Sequence, residues 1–181
     1  MDFSEILSVS EGTHANIYRV TIREGADTAH FCLKLFKQGW TTPFNLEKTA
    51  YEHLIAAEVK DCIPKIYGYA ARTLYDWGLA GDDSDDELYN GILMEWLEGG
   101  QMVSVNNITL TNACSLLEAL DRIHKAGVLH FDPFRHNQIV FPGTRRVVWI
   151  DFSCAHMNEE YAQPFEMGDV AGILLSLVFI R

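Results

Sequence analysis

Between Val128 and Ser153 the chain reads VLHFDPFRHNQIVFPGTRRVVWIDFS, and this stretch constrains the fold more than any other. Two short apolar runs, Gln138–Phe141 and Arg146–Ile150, flank Pro142-Gly143-Thr144. Such runs on either side of a Pro-Gly turn predict a β-hairpin. Asp132 and Asn137 precede the hairpin and Asp151 follows it, so closing the hairpin draws these distant side chains to its open end. Clustered carboxylates repel unless a cation or a proton lies between them, which points to a metal site. A set of oxygen donors suits Mg²⁺, with phosphate oxygens filling the remaining positions.

The order H-x-D-x-x-x-x-N, a hairpin, then D-F-x stands here as His130, Asp132, Asn137, Asp151 and Phe152. It resembles the catalytic loop and magnesium loop of protein kinases. The segment E-x-x-A-Y-x-x-L that begins at Glu47 is similar to small fungal and aminoglycoside-phosphotransferase-like branches of that superfamily. The resemblance implies roles. Asp132 orients the acceptor hydroxyl and takes its proton, while Asn137 and Asp151 hold Mg²⁺ on the phosphates of ATP. Arg135 supplies positive charge toward the γ-phosphate, because Phe134 occupies the position where the family has lysine.

Upstream, Ile6–Val9 and Asn16–Ile22 alternate around Glu11-Gly12-Thr13 and predict a two-stranded hairpin. The strand His30–Phe36 follows, with Lys34 on the same face as Cys32 and Phe36. A charge on a half-buried strand needs a partner. Thr42-Pro43 starts a helix whose apolar residues recur at Ala50, Tyr51, Leu54 and Ile55. Glu47 falls on that core-facing stripe and is expected to pair with Lys34. By resemblance, this pair aligns the lysine on the α- and β-phosphates, and a glycine-rich loop covers them. Of the three glycines of such a loop only Gly12 is present; Ser10 and Ala15 stand at the other two positions.

Ile63-Pro64 through Tyr69 predicts a strand ending near Arg72, and Gly81–Glu87 an acidic loop. Leu88–Leu97 predicts a buried strand running into Glu98-Gly99-Gly100. That strand resembles the hinge of the family, which implies that Met94 lies behind the adenine and that backbone groups of Glu95 and Leu97 bond to it. Thr109–Lys125 has the apolar spacing of an amphipathic helix, ended by Gly127. Asp169–Ile180 reads as a buried helix and resembles the central helix of the C-terminal lobe, whose leading aspartate, here Asp169, holds the catalytic-loop backbone. The chain also departs from the pattern. Phe131 stands where the family has arginine, Ser153 where it has glycine, and no A-P-E sequence follows. The helices that dock peptides in the family are missing beyond Arg181.

A net charge of -11 argues against nucleic acid or an anionic membrane as the main partner. Nucleotide binding then requires positive potential built locally, from Lys34 and the metal. The four cysteines, Cys32, Cys62, Cys114 and Cys154, form no C-x-x-C pair and read as reduced core thiols of a cytoplasmic protein, not as zinc ligands. MDFSEILSVSEG has neither a basic region nor an apolar run, so no secretory signal is expected. Val170–Ile180 is too short to span a bilayer.

The expected fold is α+β, a single two-lobed protein-kinase-like domain over residues 1–181. Its β-rich N-lobe covers residues 1–94, a hinge 95–100, and a minimal α-rich C-lobe 101–181. The expected function is ATP- and Mg²⁺-dependent transfer to a hydroxyl, on a Ser/Thr protein substrate. The alternatives are a small-molecule kinase of the aminoglycoside or choline type, and an inactive pseudokinase acting as an interaction scaffold. A partner chain or a longer parent chain would complete the C-lobe.

Overall fold

The computed structural model describes residues 3–80, 87–158 and 162–179. Residues 81–86 of the predicted acidic loop, and Ile180 and Arg181, lie outside them. The architecture is mixed α+β, in two compact units. Residues 1–45 and 65–97 make the first, and residues 46–64 and 98–181 the second. The passage at 97/98 falls inside the predicted hinge. Residues 46–64, expected with the N-terminal half, instead belong to the second unit.

The first unit is an antiparallel sheet of β1 (Glu5–Glu11), β2 (Ala15–Glu24), β3 (Asp27–Phe36), β4 (Ile66–Arg72) and β5 (Tyr89–Glu95), in the order β1-β2-β3-β5-β4. Alternation explains why both faces of β3 are occupied. Leu33 and Leu35 join Val20 and Trp77 on one side. Phe36 joins Ala15, Ile92, Met94 and Phe44 on the other. Phe44 lies on α1 (Thr41–Ala56), and its ring meets that of Phe36 edge-on at 5.5 Å. Residues 41–45 of this helix belong to the first unit and 46–56 to the second.

The second unit is built on α2 (Leu110–Lys125). Thr109 caps it by accepting from the Asn112 amide, and Gly127 follows its end at φ +81°. The buried stripe of α2 includes Ala113, Leu116, Ala119, Leu120 and Ile123. Each fully buried Leu or Ile of this kind contributes about 1.5–3 kcal/mol. The predicted hairpin is present as β8 (Gln138–Val140) and β9 (Val147–Trp149), paired antiparallel with Gln138 opposite Trp149. Buried Trp149 ties the hairpin to α2 through Nε1–H donating to the Leu116 carbonyl at 3.2 Å. Three two-residue strands escaped the sequence reading. β6 (Gln101–Met102) extends the hairpin, and β7 (Val128–Leu129) pairs with β10 (His156–Met157). Segments this short carry no periodicity to read.

The last helix, α3, spans Gln163–Phe179 and begins six residues before the predicted start at Asp169. Its buried stripe is Glu166, Val170, Leu174 and Leu177. The expectation of four buried thiols is corrected: Cys62 alone is buried, Cys32 and Cys154 are half-buried, and Cys114 is exposed. Burial pushes the Cys62 thiol up to about 11. The four form no disulfide with one another. No helix among the described residues is long and apolar enough to cross a membrane.

Candidate active site

The loop between β7 and β8 holds the polar residues singled out above. It begins at His130, fully buried against the rings of Phe152 (4.6 Å) and Trp149 (5.4 Å). His130 Nε2–H donates to the Ile150 carbonyl at 2.9 Å, and Nδ1 accepts from the Asp132 amide at 3.4 Å. That pair of bonds fixes one neutral tautomer. Burial, outweighing the Ile150 carbonyl and the nearby carboxylates, depresses the His130 pKa below its ordinary value. The imidazole is a rigid strut between the two loops that carry Asp132 and Asp151.

Asp132 and Asn137, both before the hairpin, come together within one loop. The Asn137 side-chain amide donates to both the Asp132 carboxylate and the Asp132 carbonyl, each at 2.9 Å. A single 3₁₀ turn, Arg135–Asn137, makes this reach possible. The Asn137 carbonyl in turn accepts from the Ile150 amide at 3.0 Å, so the residue before Asp151 is fastened to the same asparagine. Asp151 has φ +63°, and one of its carboxylate oxygens accepts from the Ser153 amide at 3.3 Å. The left-handed residue of this loop is therefore Asp151. Ser153 does not have a positive φ, so the serine in place of glycine imposes no strain. Phe152 is fully buried and meets the ring of Tyr51 edge-on at 5.2 Å.

A residue that sequence reasoning missed anchors the loop from below. Glu166 on α3 accepts from the Phe131 amide at 2.6 Å, the His130 amide at 3.2 Å and His124 Nε2–H at 2.6 Å. Burial raises the Glu166 carboxyl, but these three bonds together outweigh it and hold the pKa below its ordinary value. The role expected of Asp169 thus falls to Glu166, and Asp169 is exposed. The reason is helical phase. Glu166, Val170, Leu174 and Leu177 share one stripe, whereas Asp169 turns off it. The signal was present in Gln163-Pro164, since proline in a first turn marks a helix start.

The remaining candidates take different positions. Asp132 is half-buried, Arg135 is exposed, and His136 Nε2 approaches the Asp132 carboxylate at 3.4 Å. Lys34 is buried on β3, on the face of Phe36, with Nζ 5.3 Å from the centre of that ring. Glu47 is fully buried on α1. Gly12 closes the β1–β2 turn: its amide donates to the Ala15 carbonyl at 2.9 Å, and a Cβ there would meet the same oxygen at 2.7 Å. That bond engages the Gly12 N–H within the turn. Lys37 Nζ donates to the Gly12 carbonyl at 2.6 Å. Met94 is buried in β5, and the Glu95 amide donates to the Lys65 carbonyl at 2.8 Å. Leu97 is half-buried.

Among the described residues no three His, Cys, Asp or Glu side chains come together to hold a metal ion. A cation on this loop would rest on Asn137 and Asp151 and take its other ligands from phosphate or water. No model of a known protein family matches the chain, and no curated protein matches it.

Proposed function

We propose that the chain is an ATP- and Mg²⁺-dependent phosphotransferase of the protein-kinase-like kind, acting on a hydroxyl. One observation carries this reading: Asn137 bonds both the side chain and the backbone of Asp132, and its own carbonyl holds the residue before Asp151. Phosphoryl transfer needs a base fixed relative to the metal ligands, and this network fixes them. The two units are read as the two lobes of such a fold.

In this reading Asn137 and Asp151 hold Mg²⁺, which neutralises charge on the transferring phosphate when bound. The family resemblance assigns Lys34 to the phosphate oxygens. Backbone groups of Glu95 and Leu97 bond to the adenine, with Met94 behind it. Asp132 accepts the acceptor proton through the carboxylate oxygen not engaged by Asn137. Arg135, on the exposed side of the loop, faces the transferred group. The neutral His130 keeps Asp132 and Asp151 in register without adding charge of its own. The engaged Gly12 amide favours a second reading, a pseudokinase that keeps this loop geometry and transfers nothing.

Thermal melting with ATP, with and without Mg²⁺, tests the first requirement. Stabilisation of about 2.7 kcal/mol is expected at a hundredfold excess over Kd. Absence of any shift at millimolar nucleotide would remove the enzyme readings. Asp132→Asn then separates the remaining two: nucleotide binding is expected to survive while phosphate transfer collapses, and equal transfer would refute Asp132 as the base.

A further inference from the structure

The loop that carries the candidate base is also held from the strand that follows it. Gln138 is the first residue of β8 and is fully buried. Its backbone is fixed on two sides: its carbonyl accepts from the Val103 amide at 3.0 Å, and it pairs with Trp149 across the hairpin. From that strand its side-chain amide donates to the Pro133 carbonyl at 2.9 Å. The Asn137 side chain donates to the Asp132 carbonyl, also at 2.9 Å. Consecutive side chains thus hold consecutive carbonyls, each five residues back. Pro133 adds a restraint of its own, because its ring fixes φ and disfavours helical backbone at the residue before it, Asp132. The Gln138 amide has one possible orientation: a carbonyl only accepts, so the NH₂ must face Pro133. The other end, Oε1, then has no hydrogen-bond partner among the described residues. A buried acceptor left without a donor opposes folding, and an apolar side chain of the same size would avoid that penalty. The amide therefore works against stability at one end while fixing the base loop at the other, a local conflict of the kind that accompanies functional sites.

We propose that Gln138 is a positioning residue for Asp132: by holding the Pro133 carbonyl it sets the direction in which the Asp132 carboxylate meets the acceptor. Its effect on turnover rests on the phosphotransferase reading, whereas the clamp itself is measured without it. A catalytic group displaced by about 1 Å loses on the order of a hundredfold in rate. Removing one of the two carbonyl clamps, with Asn137 left in place, is therefore expected to lower kcat by about tenfold or more and to leave nucleotide binding as it is.

The test compares Gln138→Met, which keeps the volume and removes the donor, with Asn112→Ala. Buried Asn112 on α2 donates to the Thr144 carbonyl at 3.0 Å, at the closed end of the hairpin, so its loss weakens the unit away from the base loop. Amide hydrogen exchange, followed by NMR on the full chain, reads the clamp directly. In the parent the Asp132 amide bonds to His130 Nδ1 and the Asn137 amide to the Phe134 carbonyl. Both are expected to exchange at least about tenfold faster in Gln138→Met, while its Tm stays within roughly 2 °C of the parent. Unchanged exchange overturns the proposal whether or not ATP is turned over. Gln138→Leu, of similar volume, repeats the comparison, and failure of both variants to fold would show a structural role and overturn it too. Release of ADP from ATP and Mg²⁺, with water as the acceptor, reads the consequence. There the water oxygen bonds to the γ-phosphorus, ADP leaves with the electron pair, and the proton passes to Asp132. Gln138→Met is expected to lose about tenfold or more in kcat with KM for ATP within about twofold of the parent, whereas Asn112→Ala keeps the parental kcat at a lower Tm. A kcat that follows Tm through the two variants, or a loss confined to KM, overturns the positioning role. Faster exchange in Gln138→Met, where the parent itself releases no ADP, upholds the clamp and removes the phosphotransferase reading.

Discussion

Replacing Glu166 by alanine tests the architecture of the loop most directly. The substitution leaves three donors without their acceptor: the amides of His130 and Phe131 and Nε2–H of His124. A buried donor stranded in this way costs about 1–3 kcal/mol, and water entering the vacated space recovers part of it. The expected loss is therefore about 3–5 kcal/mol, three stranded donors less what water recovers. For a chain of this size that corresponds to a fall in Tm of roughly 6–20 °C. Glu166→Gln keeps one carbonyl oxygen for the Phe131 amide but turns an NH₂ toward the other two donors, so it should fall between wild type and alanine. Asp169→Ala, at an exposed position, should change stability by no more than about 0.5 kcal/mol. Urea denaturation of the four proteins, followed by far-UV circular dichroism, measures the differences. If Asp169→Ala costs as much as Glu166→Ala, the assignment of the anchor is wrong.

Two further outcomes follow from the same structure. His130 titrates lower in the folded chain than in the unfolded one, so its contribution to stability is fully present above about pH 6.5 and declines as the pH falls through that value toward the depressed folded pKa. The urea midpoint should drop more between pH 7.5 and 5.5 in wild type than in His130→Gln, and parallel declines would refute the strut. Gly12→Ala places a Cβ 2.7 Å from the Ala15 carbonyl, against backbone that cannot rotate away. Crowding of this kind costs about 1–3 kcal/mol, more than the roughly 0.4–1 kcal/mol that alanine recovers by restricting the unfolded chain. A variant as stable as the parent would show that the turn is looser than described.

What the sequence by itself determined was local and periodic. The Val147–Trp149 hairpin arm, the helix capped by Thr109 and the sheet strands around Lys34 followed from alternation, helical spacing and turn chemistry. The contact of Asp132 with Asn137 depends on a single 3₁₀ turn that the sequence reading did not anticipate. Tertiary structure decided what depends on phase and on partners far along the chain. Glu166 lies thirty-five residues beyond the amide it holds, and only the start of α3 at Gln163 sets which acid faces inward. The engagement of the Gly12 amide and the left-handed backbone at Phe131 and Asp151 are likewise products of packing. A side chain's identity fixes the bonds it is able to make, but the competition among neighbours for each donor and each patch of surface is settled only once the chain has folded.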